Sequence, residues 1–212
     1  MSGYGNLTKM LEKINILDHK ILIWVHEYLS NSIFDFFMPF ITDVDNWILP
    51  IAILIIGLCT FEKKKGRITL LILIISMSLT DFICAQYIKP FIERIRPSHL
   101  ELDGLNLLVK KGGKWSMPSN HAANMFAFAT ILSFFYKRFK TFLFILASLV
   151  AFSRVYVGVH FPGDILFGAF IGYTIGWIII NIWNNIRIRE LKKGKSWIWY
   201  ETTSPKFKKL VR

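Results

Sequence analysis

The chain has 212 residues, 53% of them hydrophobic and 16% aromatic, with a mean hydropathy of +0.43, too apolar for an ordinary water-soluble domain of this size. Its formal charge of +12 sits in short Lys and Arg islands between apolar runs, which excludes a basic surface spread evenly toward water. The composition is that of an integral membrane protein.

The first twenty residues, MSGYGNLTKMLEKINILDHK, are polar and lack the apolar core and small-residue end of a cleavable signal peptide, so the first membrane segment is expected to act as its own signal. Residues 21–40 are apolar but contain Glu27 and Asp35, a pattern that fits either a span or an amphipathic helix lying in the interface. Residues 47–61 form a shorter apolar run, and residues 68–88 a longer one interrupted by Asp81. Runs at 121–136 and 139–153 follow, and the uncharged run 165–183 is long enough by itself to cross a ~30 Å hydrocarbon core. Together they predict an all-α, polytopic bundle of about six transmembrane helices forming a single domain, 1–212. Cys59 and Cys84 lie inside apolar runs and read as small core hydrophobes, not as a disulfide or a metal site. The tail, 187–212, is basic and carries Trp197, Trp199 and Tyr200, a composition expected to rest on anionic headgroups.

Cytoplasmic loops collect Lys and Arg, and a six-helix threading puts nineteen of the 26 basic residues on one side. Both termini and the loops around Lys64 and Arg138 are then expected in the cytoplasm. The other seven, Lys89, Arg94, Arg96, Lys110, Lys111, Lys114 and Arg154, fall on the opposite face, where positive charge needs a separate reason.

Three polar stretches share that face. In KPFIERIRP (89–97), Lys89 and Arg96 are seven apart, which returns them to nearly one side of a helix, although Pro97 disfavours helical geometry at Arg96. Basic residues after a span also snorkel to the interface, so this stretch alone fits both readings. In MPSNHAAN (117–124), Ser119 or Asn120 is placed to cap a helix whose free amides and dipole would attract an anion, with His121 in the first turn. A capped helix with an incidental histidine is the other reading. In SRVYVGVHFPGD (153–164), Pro162 and Gly163 break the chain and His160 precedes Asp164 by four. A carboxylate on one imidazole nitrogen would leave the other free as nucleophile or base. Arg154 in so apolar a setting calls for a cavity or a partner.

Taken together, these stretches resemble the type 2 phosphatidic acid phosphatase (lipid phosphate phosphatase) family. The family's first motif, a Lys, six residues, then Arg-Pro, is matched by Lys89, Arg96 and Pro97; its second, Pro-Ser-Gly-His, by Pro118, Ser119 and His121; its third by Ser153, Arg154, His160 and Asp164. Asn120 stands where the family has glycine. Asn tolerates a left-handed backbone and would add a side-chain donor at that point.

The resemblance implies that His160 attacks phosphorus to form a phosphohistidine, that Asp164 holds its ring, and that His121 protonates the leaving oxygen and then activates water. Lys89, Arg96, Ser119, Arg154 and amides near Asn120 would cradle the phosphoryl oxygens. Three cations can supply the charge that Mg²⁺ supplies elsewhere, so no metal or other cofactor is called for. The implied partners are the bilayer and a phosphorylated membrane lipid, with nothing pointing to nucleic acid or to an obligate protein partner. Undecaprenyl diphosphate and lipid A 1-phosphate are slightly favoured as substrates, with phosphatidylglycerol phosphate and phosphatidic acid also compatible. Location in a bacterial inner membrane, with the site facing the periplasm or exterior, is expected. The loop 98–116, SHLELDGLNLLVKKGGKWS, would either grip the headgroup or rest on the interface. A phosphotransferase using the same phosphohistidine is the nearer alternative, and a non-enzymatic transporter or scaffold the remoter one.

Overall fold

The computed structural model describes residues 2–195, most of them helical, with no strand among them; Trp197, Trp199 and Tyr200 of the basic tail lie outside the described residues. Helices α1 (Ser2–Tyr28) and α2 (Ser32–Thr42) precede α3 (Ile48–Thr60), α4 (Lys63–Phe82), the short α5 (Lys89–Ile92), α6 (Asn120–Phe135), α7 (Lys140–Tyr156) and α8 (Pro162–Lys192). A π-helical stretch, Ile83–Ile88, joins α4 to α5, so that Lys63–Ile92 is one 30-residue rod. That rod, Lys137–Tyr156 and Pro162–Lys192 are each long and apolar enough to cross a membrane; Ser32–Thr42 and Val44–Thr60 pass the same test together but are bent by 69°. Ile51, Ile53 and Ile56 of α3 and Leu166, Phe170 and Trp177 of α8 are exposed, as the lipid-facing surface of a multi-pass membrane protein requires.

Helix α6 is the central post, packed against α4, α7 and α8. Its contact with α8 is unusually close, for a reason written in the sequence. Gly168, Gly172 and Gly176 recur every four residues on α8 and face, in turn, Ser119 just ahead of α6 and Ala123 and Thr130 within it. A Cβ at Gly172 would collide with the Ala123 carbonyl, so backbone meets backbone there, the close approach that small residues permit between membrane helices. The two helices start at the same end of the bundle. Their close packing brings Ser119 and His121 beside Asp164.

The N-terminal region departs from the predicted span 21–40. Asn31 interrupts it, its Oδ1 accepting from Ile33 N at 3.1 Å and Phe34 N at 3.0 Å to cap α2. Asp35 accepts from the Tyr156 hydroxyl at 2.7 Å, and Thr42 Oγ1 meets Arg154 Nη1 at 2.6 Å. Further back, Asn15 and Asp18 on α1 bind Arg94. All of these partners lie at the end of the bundle that carries the three motifs, so the chain from Asn15 to Thr42 stays at that end. The segment 21–40 is therefore two helices held at the motif end, not one continuous helix. The reason is amphipathicity: Asp18, Leu22 and Val25 are buried, while Ile14, Leu17, Ile21, Trp24 and Tyr28 form an adjacent exposed apolar stripe. Loop 98–116 supports α1 from below, Leu100, Leu102 and Leu105 packing into the cluster around Leu22, Val157 and Phe161.

Candidate active site

The first motif does not run as one helix. Glu93 takes a left-handed conformation (φ +53°) that ends α5 at Ile92, and Arg96 is extended (φ −68°, ψ 148°), the region to which Pro97 confines the residue before it. Lys89 and Arg96 are gathered instead by one acceptor, the Trp115 carbonyl, which takes Lys89 Nζ at 3.3 Å and Arg96 Nε at 3.1 Å. A single antiparallel bridge between Ile95 and Trp115 holds that carbonyl in place, with Arg96 N donating to Lys114 O (3.0 Å) and Ser116 N to Arg94 O (2.7 Å).

The second motif opens α6. Ser119 is the N-cap, fully buried, with its backbone N–H donating to the Asp164 carbonyl at 3.0 Å and its hydroxyl without a hydrogen-bond partner. That unspent hydroxyl and the free amides of the first turn are what an anion at this helix start would use. Asn120 corrects two expectations. It is an ordinary first helical residue, not left-handed, and its side-chain amide points at Asp81 Oδ1 (2.7 Å), where Asn124 joins it at 3.3 Å. Asp81, the acid that interrupts the apolar run 68–88, thus has its partners on α6. Any contribution of Asn120 to a phosphate would come from its backbone. His121, in the first turn, has Arg154, His160, Arg96 and Lys89 as its electrostatic neighbours.

The third motif spans the end of α7, a tight loop and the start of α8. The Arg154 carbonyl accepts from both Val159 N (3.2 Å) and His160 N (3.1 Å), while Gly158 (φ +82°) supplies the left-handed turn that makes this possible. Its guanidinium is steadied by Thr42. His160 is 1% exposed and Asp164 fully buried, with His160 Nδ1 3.4 Å from Asp164 Oδ2. Burial holds the His160 pKa down at about 4, against the pull of Asp164 and with Arg96 and Arg154 adding to the depression. The imidazole is thus neutral near pH 7, with Nδ1 facing a carboxylate.

Asp164 is the hub. Its Oδ2 accepts from Phe161 N at 2.8 Å, closing the first turn of α8, and its Oδ1 accepts from Arg94 Nη1 at 2.8 Å. Arg94 also pairs with Asp18 at 2.6 Å and lies over the Phe161 ring at 4.1 Å. Asp18 does not stand out in the sequence and falls in the stretch assigned there to the opposite side. The readable signal was Arg94 itself, one of seven basic residues on the wrong face for snorkelling alone. Lys89, Arg96, Arg154, Ser119, His121, His160 and Asp164 therefore meet at one end of the bundle, three cations facing two histidines and one buried carboxylate. This arrangement can bind a phosphoryl dianion and transfer it.

The PAP2 superfamily model matches residues 68–188, which include all three motifs. A lipid A 4'-phosphatase from Bacteroides thetaiotaomicron is 29% identical over 187 residues, covering 85% of this chain and 83% of that protein. The crystal structure of Aquifex aeolicus LpxE has a TM-score of 0.59 and 30% identity, covering 76% of this chain and 93% of its own. A transmembrane PAP2-type phosphatidylglycerolphosphate phosphatase from Bacillus subtilis has a TM-score of 0.61 at 24% identity, covering 82% and 88%, a likeness of fold. With more than half its length matched and the motifs gathered around Asp164, the chain belongs to the PAP2 superfamily.

Proposed function

We infer that this hydrolase of phosphorylated membrane lipids works through a phosphohistidine on His160, without a metal ion. The observation that carries the reading is the buried pair of His160 Nδ1 and Asp164 Oδ2 at 3.4 Å, which leaves one nitrogen of a neutral imidazole for phosphorus. Nε2 forms the N–P bond as the P–O bond to the lipid breaks, and the lipid oxygen takes a proton from His121. His121 then removes a proton from the water that attacks the phosphohistidine, and inorganic phosphate leaves. Lys89, Arg96 and Arg154 balance charge on the equatorial oxygens, and the Ser119 hydroxyl and first-turn amides of α6 add donors.

The favoured substrate is a phosphate monoester on lipid A. The support is the lipid A 4'-phosphatase of Bacteroides thetaiotaomicron, aligned over 85% of this chain, together with a site at the rim of an apolar bundle where a lipid would keep its tails in the bilayer. Purified protein given lipid A, undecaprenyl diphosphate, phosphatidylglycerol phosphate and phosphatidic acid in turn should release phosphate fastest from lipid A. A phosphorylated acceptor with little free phosphate would instead mark a phosphotransferase.

The site faces the periplasm or exterior, with the basic loops at Lys64 and Arg138 inside. Because the chain from Asn15 to Thr42 stays at the motif end, α1 belongs on the outer face, contrary to the cytoplasmic N-terminus expected from charge alone.

A further inference from the structure

We propose that Asp18 and Arg94 are positioning residues that set the charge on the Asp164–His160 pair. The proposal rests on the phosphohistidine reading above. Arg94 Nη1 touches both carboxylates, Asp18 Oδ2 at 2.6 Å and Asp164 Oδ1 at 2.8 Å, and its Nη2 donates to Asn15 Oδ1 at 3.0 Å. Asp18 Oδ1 in turn accepts from Gly163 N at 2.7 Å, so α1 is tied to the turn between His160 and Asp164. The Asp18 and Asp164 side chains are 7% and 0% exposed, and Arg94 17%, so their charges are poorly screened.

Charge counting gives the cluster its function. When His160 Nε2 bonds to phosphorus, the proton on Nδ1 stays and the ring becomes cationic, so it needs one net negative charge opposite Nδ1. Arg94 paired with Asp164 alone would cancel that charge. Asp18 restores it, leaving two carboxylates, one guanidinium and a net charge of −1. Arg94 in turn fixes Asp164 Oδ1, so that Oδ2 is held against the imidazole.

Asp18→Asn removes the charge but keeps an oxygen for Gly163 N. It should lower kcat by about 10-fold to 100-fold, the range for losing a partner one step removed from a reacting group, with KM within twofold. Leu22→Ala, which loosens the same face of α1 without touching charge, should lower Tm and leave kcat near wild type. The double variant Asp18→Asn, Arg94→Gln returns the cluster to −1, so its kcat should exceed that of Asp18→Asn by several-fold. A bracing role for α1 makes the opposite demand, because the double variant would then be the worst. The proposal is overturned if Asp18→Asn keeps kcat within twofold, if the double variant is no better than the single one, or if kcat falls in step with Tm across all three variants. Retained activity in His160→Ala is a separate result that removes the phosphohistidine reading and this proposal with it; loss in His160→Ala with full activity in Asp18→Asn removes this proposal alone.

Discussion

The backbone N–H of Ser119 donates to the main-chain carbonyl of Asp164 at 3.0 Å, joining the start of α6 to the start of α8. This bond places the first-turn amides of α6 against the helix that carries Asp164, the carboxylate beside His160. Gly168, Gly172 and Gly176 let α8 lie close against α6 beside it.

Gly172→Val should therefore be damaging at a distance from the chemistry. The added side chain meets the Ala123 carbonyl, and forcing the helices apart should cost about 1–3 kcal/mol by the usual scale of overpacking. Thermal unfolding in detergent should show a lowered Tm, and kcat should fall as Ser119 and Asp164 separate. An unchanged Tm would mean that the glycine stripe is not the contact that sets the site.

Much of this was legible from the sequence. The all-α polytopic fold followed from hydropathy, and the three motifs identified the residues that converge at one end of the bundle. What stayed hidden was set by tertiary contact. Nothing local marks the Trp115 carbonyl as the acceptor shared by Lys89 and Arg96, since it lies 19 and 26 residues from them. Asp18 precedes Arg94 by far in the chain, and charge bias assigned it to the other side. The segment 21–40 has the hydropathy of a poor span, and only the Asn31 cap with the bonds at Asp35 and Thr42 distinguishes two helices held at the motif end from one continuous helix. The family position of Asn120 points to a phosphate, whereas its side-chain partner Asp81 lies on α4.

The low pKa of His160 predicts an acid limit to stability. Its folded pKa of about 4 lies below the ordinary value of 6.5, so between these values the unfolded chain binds more protons and the fold weakens as pH falls. The loss should begin near pH 6.5 and level off below about 4. Comparing Tm against pH for wild type and His160→Gln isolates it: the variant should lack this part of the decline. Parallel curves would mean that His160 is not held neutral by burial.

Phosphate release should survive excess EDTA on the proposal that Lys89, Arg96 and Arg154 supply the positive charge around the phosphoryl group. Complete loss that Mg²⁺ restores would assign part of their role to a metal.

Reporters placed ahead of Ser2 and at Gly112 should both read the outer side, and reporters at Lys64 and after Lys195 the inner side. An inner reading ahead of Ser2 would contradict the placement of α1 beside Arg94.

The central claim is that His160 makes the covalent bond and His121 moves protons. An alkyl phosphate leaves as a strong base, so His121→Ala should slow its turnover roughly 10²-fold to 10⁴-fold. Nitrophenyl phosphate leaves unaided, so only water attack on the phosphohistidine should then suffer. Rapid-quench kinetics with nitrophenyl phosphate on the two variants tests this most directly. The account predicts an initial burst of nitrophenol from His121→Ala and none from His160→Ala; a burst from His160→Ala with none from His121→Ala would contradict it and exchange the two roles.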